Sequence, residues 1–179
     1  GSRLGNSPFQ RPIVLESDSS ASSPKGEIYA VVRSPYGTVH AALESAPQWC
    51  DILILHLNVK ACRVTPGKPH SLVTLHIGRK TEQALEQTSH ADFEFSVAGE
   101  TPNYLRVQLR ADSGPFGTSN YLILLEAVAL EGGRTFIHLS YSYTDSFMAS
   151  LAMRGYLATI GSEKVGFTIT GKRPDGQPI

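Results

Sequence analysis

The stretch from Tyr104 to Tyr143 constrains this chain more than any other, because its side chains alternate. In Tyr104-Leu105-Arg106-Val107-Gln108-Leu109-Arg110, Leu105, Val107 and Leu109 fall on one side and Arg106, Gln108 and Arg110 on the other. Successive side chains of a strand point to opposite faces, so a period of two predicts a strand with one face buried. Turn formers fill the segment from Ala111 to Asn120. Tyr121 to Leu130 is apolar on both sides at first, which predicts a central strand, and Glu131-Gly132-Gly133-Arg134 predicts a hairpin. Thr135 to Tyr143 then returns with Ile137, Leu139, Tyr141 and Tyr143 on one face and Phe136, His138, Ser140 and Ser142 on the other. Three consecutive antiparallel strands make a sheet with one apolar face. Something must cover that face, and the question of function is what.

The 179 residues suffice for one domain with a real core. Hydrophobic residues at 41% and charged residues at 18% fit a globular chain, neither disordered nor membrane-embedded. Sixteen basic and sixteen acidic residues cancel, which argues against nucleic acid as the main partner, since phosphate binding needs a cationic surplus. No apolar run reaches the roughly 20 residues that span a bilayer. Gly1-Ser2 reads as a protease remnant, so any leader would already be gone. Turn-like sequence from Lys172 to Ile179 leaves open a continuation of the chain.

Cys50 and Cys62 stand twelve positions apart, a spacing that fits no zinc pattern. Two readings stay open: a pair of buried thiols in a cytoplasmic protein, or a disulfide tying a helix end to the next strand. The second is preferred. Closing so short a loop contributes about 3 kcal/mol, and it implies an oxidising compartment, periplasmic or otherwise exported.

Residues 1–26 read as a flexible lead-in with a first strand near Ile13 to Glu16, and residues 27–179 as a single domain. Glu27 to Val32 predicts a strand, after which Ser34 suits a helix cap and Pro35 the first helical position. Tyr36, Val39, Ala42 and Leu43 recur at helical spacing until Pro47, and Trp49 to Leu53 predicts a second helical turn. Leu55, Leu57, Val59 and Ala61 predict a strand, as do Leu72 to Gly78 and the alternating Phe93, Phe95 and Val97. Asp145 or Ser146 caps a helix reaching about Ile160, with Phe147, Met148, Leu151, Ala152, Gly155 and Ala158 near one face. Val165 to Thr170 predicts a last strand.

This order of strand, two short helices, antiparallel strands and late helix resembles the START-like superfamily (StAR-related lipid transfer and its relatives, SRPBCC, the helix-grip fold). Two segments carry the resemblance. One is Val31-Val32-Arg33-Ser34-Pro35-Tyr36-Gly37-Thr38-Val39-His40-Ala41-Ala42-Leu43 with the following Trp49; the other is Gly132-Gly133-Arg134-Thr135-Phe136-Ile137-His138-Leu139-Ser140-Tyr141. The resemblance implies an α+β fold in which a curved antiparallel sheet wraps around a C-terminal helix, with two short helices after the first strand. The predicted strand after the late helix departs from the family, which ends on a long helix. The resemblance also implies a cavity between sheet and helix that takes a lipid, sterol or polyketide. Its wall would be Trp49, Leu105, Val107, Leu109, Ile137, Leu139, Tyr141 and Tyr143, and Met148, Leu151 and Ala152 would face them from the helix. A dry core has the same periodicity, so alternation alone does not choose between them.

Catalytic signatures are lacking: there is no Gly-x-Ser-x-Gly elbow and no Walker loop. The six histidines, His40, His56, His70, His76, His90 and His138, show no metal-ligand spacing, so neither metal nor cofactor is expected. The reading is a non-enzymatic protein that binds a hydrophobic small molecule or lipid, with transport as its further role, transient membrane contact and no transmembrane segment. Two alternatives stand beside it. One is a cyclase or dehydratase using the same cavity, with His138 and Glu126 as first acid–base candidates. The other is an assembly module that docks a protein partner.

Overall fold

A computed structural model describes residues 2–5, 7, 11–18 and 23–145. In chain order these form α1 (Ser2–Gly5), β1 (Ile13–Asp18), β2 (Lys25–Val32), α2 (Tyr36–Ala41), α3 (Ala46–Leu53), β3 (Val59–Thr65) and β4 (Ser71–Ile77). Then follow β5 (Ser89–Thr101), β6 (Tyr104–Ser113), β7 (Ser119–Leu130) and β8 (Arg134–Thr144). The strands join in one 8-stranded sheet in the order β1-β2-β8-β7-β6-β5-β4-β3, antiparallel throughout. The helix expected from Ser146 to Ile160 and the strand expected after it lie outside the described residues, and so do Met148, Leu151 and Ala152.

The register shows how alternation becomes a continuous surface. Leu105 lies opposite Ala127, which lies opposite Ile137, then Ala30, then Ile13. The next row is Val107, Leu125, Leu139, Ile28 and Leu15, and the one after it Leu109, Ile123, Tyr141 and Gly26. Directly opposed residues share a face, so one apolar face, called inner below, runs from β6 to β1. It extends the other way through Phe95, Phe93 and Ala91 of β5 and Val73 and Leu75 of β4, all buried. Val39, Leu43, Ala46 and Trp49 from the helical segment join the same core.

Local chemistry fixes the two helices against the sheet. The cap of α2 is Pro35, not Ser34, and it makes no side-chain cap bond. Ser34 serves through its backbone instead, its carbonyl accepting from the buried Thr135 hydroxyl at 2.8 Å. Pro47 falls in the first turn of α3, where a missing N–H costs nothing. The Trp49 indole N–H donates to the Leu43 carbonyl at 2.9 Å, which locks α3 to the end of α2. Cys50 and Cys62 form a disulfide, Cα to Cα 5.4 Å, that fastens α3 to β3. Gly132 and Gly133, at φ 73° and 66°, complete the three-residue turn from Glu131 between β7 and β8, at positions that favour residues tolerant of positive φ.

One predicted strand starts late. The alternation of Leu55, Leu57, Val59 and Ala61 places a strand from Leu55, whereas β3 begins at Val59. Helix-like bonding runs on instead: Ile54 N–H donates to the Cys50 carbonyl, Leu55 N–H to Ile52 and His56 N–H to Leu53. A register shift between Val59 and Ala61 then turns Cys62 and Val64, rather than Ala61, toward the core. The disulfide requires that orientation.

Candidate functional site

The expected wall residues separate into two groups. Leu105, Val107 and Leu109 of β6 have no exposed surface, and Trp49 is 2% exposed with its only polar group already bonded. On β8, Ile137, Leu139 and Tyr143 are half-buried and Tyr141 is 39% exposed. The structure brings both groups onto one face, but only the second leaves surface that a small molecule could touch.

At the end of that accessible part sits a cluster of rings. Tyr121 stacks on Tyr143, centroids 5.4 Å apart and planes 14° apart. Tyr141 lies 6.1 Å from Tyr121 and 5.6 Å from Tyr143, and Phe93 meets Tyr121 edge-on at 6.0 Å. The loop from Gly114 to Thr118 lies against Tyr121, whose hydroxyl bonds that of Thr118. A Cβ at Gly114 would sit 2.4 Å from the Tyr121 ring, so the close approach demands glycine. Burial pushes the Tyr141 phenol well above its ordinary value, and Tyr121, Tyr143 and the Asp145 carboxylate add to the effect. Tyr143 is raised by burial first and then by Asp145 and Tyr121. Both therefore stay neutral near physiological pH, able to donate a hydrogen bond from an apolar surface.

The acid–base candidates lie on the other face. His138 is opposite Glu126 across β7 and β8, on the side away from Leu139. Its Nδ1 meets Glu126 at 3.1 Å and its Nε2 meets Glu27 at 3.2 Å, while Tyr29 stacks on the ring at 4.6 Å. The Tyr104 hydroxyl donates to Glu126 at 2.6 Å and Lys25 pairs with Glu27 at 2.8 Å. Hydrogen bonds from Tyr104 and His138 hold the Glu126 carboxyl below its ordinary range, and Lys25 does the same for Glu27. This is a cross-strand ladder over β6, β7, β8 and β2, not an interior catalytic pair. His56, His76 and His138 do not converge either: His76 bonds Thr88 at 3.2 Å, and His56 stands in the turn before β3.

One cluster escaped the sequence reading. His40, Glu44 and Glu100 bring ligand atoms within 4.8 Å of one another. His40 Nδ1 meets Glu44 at 3.0 Å and Nε2 meets Glu100 at 2.7 Å, so its two nitrogens face different carboxylates. With the Tyr36 hydroxyl donating to the Thr101 carbonyl at 3.1 Å, the set clamps α2 to the β5–β6 turn beside an open cleft of about 650 Å³. The i,i+4 spacing of His40 and Glu44 was visible in sequence; the arrival of Glu100 was not. Along the inner face of the described strands, Glu100 at this rim is the one carboxylate, and the other polar side chains there are tyrosines and small hydroxyls.

No protein-family model matches the chain, and no curated protein does. Solved structures do resemble it. The Zhui aromatase/cyclase from Streptomyces sp. R1128 is 12% identical at a TM-score of 0.51, over 78% of this chain and 87% of that one. Norcoclaurine synthase from Thalictrum flavum, in complex with dopamine and hydroxybenzaldehyde, is 12% identical at 0.52, over 78% and 83%. A conserved protein from Geobacillus kaustophilus is 14% identical at 0.50, over 76% and 86%. Identities this low show the fold alone. That fold is START-like and α+β, with a large antiparallel sheet and two short helices after β2 among the described residues.

Proposed function

We propose that this START-like chain binds a hydrophobic small molecule, a lipid, sterol or aromatic compound, against the β8 part of its inner face, and that it serves as a carrier rather than a catalyst. One observation carries the reading: an apolar face that is sealed at β6 stays accessible at Leu139, Tyr141 and Tyr143. Ile137, Leu139, Tyr141 and Tyr143 would touch the guest, with Leu105, Val107, Leu109 and Trp49 as the rigid backing. Met148, Leu151 and Ala152 are the residues proposed to cover it, and the Gly114–Asn120 loop the segment that opens. Desolvation would drive binding, at about 25 cal/mol per Å² of apolar surface removed from water. The phenols of Tyr141 and Tyr143 would orient a polar group on the guest.

The cyclase or dehydratase alternative draws support from the names of the aromatase/cyclase and norcoclaurine synthase structures. Its first acid–base candidates, His138 and Glu126, bond each other on the outer face, and the pair at the inner rim, His40 and Glu100, is tied into the clamp between α2 and the β5–β6 turn. The binding reading is therefore preferred. Residues 27–179 would act as one binding domain with 1–26 as its lead-in. The disulfide supports an exported protein, because such bonds persist in oxidising compartments; among the described residues no helix is long and apolar enough to cross a membrane.

Native mass spectrometry of protein purified from its own host is expected to show a bound mass lost on denaturation. Titration with an apolar fluorophore should saturate, and Y141A and L139Q should each weaken it about tenfold, a loss of roughly 1.4 kcal/mol. Absence of both a bound mass and saturable binding would sink the proposal.

A further inference from the structure

The turn between α3 and β3 exposes aliphatic side chains to an unusual degree. Leu55 is 80% exposed, Leu57 68%, Ile54 42% and Ile52 41%. Single exposed leucines need no explanation, but a run of them on one tip does. The tip is also firmly built. The Cys50–Cys62 disulfide closes its base, and consecutive backbone bonds order the turns, ending with Val59 N–H to the His56 carbonyl at 2.8 Å. Asn58 and Gly78 exchange two bonds of 2.8 Å, which join the tip to the loop after β4. The fold thus spends order on keeping these side chains in water.

Cations flank them. Lys60 donates to the Leu57 carbonyl at 3.0 Å, and exposed Arg79 and Lys80 follow directly on Gly78. No acid occurs between Ile52 and Lys60, while Asp51 and Glu82 flank the region. We infer that the 52–57 turn is a membrane-docking wedge, its aliphatic side chains entering the interface of a bilayer that carries anionic lipids while Lys60, Arg79 and Lys80 meet the headgroups. Leucines among acyl chains with lysines at the phosphates is the arrangement that interfacial anchors use. A second copy of the chain fits less well: a single turn falls far short of the roughly 800 Å² per partner that a stable interface buries. The inference stands apart from guest binding, since docking needs only the tip.

Flotation of the whole, oxidised chain with phosphatidylcholine vesicles, with and without phosphatidylglycerol, tests it. The protein is expected to float with the anionic vesicles, L55E/L57E to cut the bound fraction at least about tenfold, and K60E/K80E to remove most of the salt sensitivity. All replaced side chains are outside the core, so near-ultraviolet circular dichroism should match the parent. L55W gives a second readout, an emission blue shift on vesicle addition over the constant signal of buried Trp49. Failure of the parent protein to float, or flotation undiminished in L55E/L57E, overturns the inference. So does a concentration-dependent dimer lost in L55E/L57E without vesicle binding, which would assign the tip to a second copy. Guest loss in native mass spectrometry, with flotation intact, would count against the binding proposal and leave the wedge standing.

Discussion

β6 and β8 pair with the same strand, β7, and carry the same alternation, yet their inner side chains end in different surroundings. Leu105, Val107 and Leu109 are completely buried; Leu139 is half-buried and Tyr141 is 39% exposed. The neighbours explain the difference. Beyond β6 come β5 and β4 with Phe93, Phe95, Val73 and Leu75, and Trp49 from α3 joins that core. Beyond β8 comes β2, which sets Gly26 opposite Tyr141 and Ala30 opposite Ile137. Partner size alone does not decide it, since Leu105 is sealed opposite Ala127 and Leu139 stays half-buried opposite Ile28. The β6 side is closed by the buried side chains of β4, β5 and α3 that join its core, and Gly26 leaves Tyr141 bare on the other. A binding face arises here where the pattern is kept and the packing around it thins.

The largest expected effect comes from truncating the sealed side. V107A and L109A should each cost about 2–5 kcal/mol, because the surrounding core cannot collapse onto the gap. L139A on the open side should cost less than half as much while weakening guest binding. Urea denaturation reads all three, and equal costs would break the comparison outright. Reduction of Cys50–Cys62 comes next, at about 3 kcal/mol for so short a loop. Hydrogen exchange should quicken in α3 and β3 while β8 keeps its protection. Loosening spread evenly through β8 would mean that the two ends of the sheet are one cooperative unit.

Much of this was legible in the chain. The alternation in Tyr104–Arg110 and Thr135–Tyr143 sets β6 and β8 with the inner and outer residues of each, and the apolar run from Tyr121 sets β7 as a central strand without dividing its faces. Pro47 and Trp49 mark α3, and Gly132-Gly133 marks the hairpin. Leu55 and Leu57 misled for a physical reason: they alternate as a strand would, but helix-like bonding from α3 carries past them and the disulfide decides where the strand can start. The division of the wall was hidden because burial depends on partners far away in sequence, such as Gly26 for Tyr141. His40 and Glu100 were unconnected for the same reason, being 60 residues apart.

G114A sharpens the contrast from the ring cluster. Its new methyl would meet the Tyr121 ring at 2.4 Å, and displacing that ring disturbs its stack on Tyr143. Overpacking of this kind costs about 1–3 kcal/mol. The cost should appear with altered fluorophore affinity and unchanged vesicle flotation. A neutral G114A would show that the loop yields and that Tyr121 is not held by it.

The smallest effect tests what β6 and β8 share. On the outer face Glu126 of β7 accepts from Tyr104 of β6 and pairs with His138 of β8, so one carboxylate joins both strands. Its folded pKa lies below its ordinary value near 4.5, with the Tyr104 hydrogen bond the largest cause and His138 the next. A depressed acid stabilises the fold fully above its unfolded pKa and loses that contribution as pH falls through the folded one. Stability should therefore decline from about pH 5 downward, by under about 1 kcal/mol for this group once solvent screening is counted. E126Q should remove its share of the slope, leaving that of Glu27, which Lys25 depresses in the same direction. Urea midpoints measured from pH 6 to pH 3 check this. An E126Q profile parallel to that of the parent would show that the outer ladder adds nothing to the fold, and that β6 and β8 are held alike only by their backbone pairing with β7.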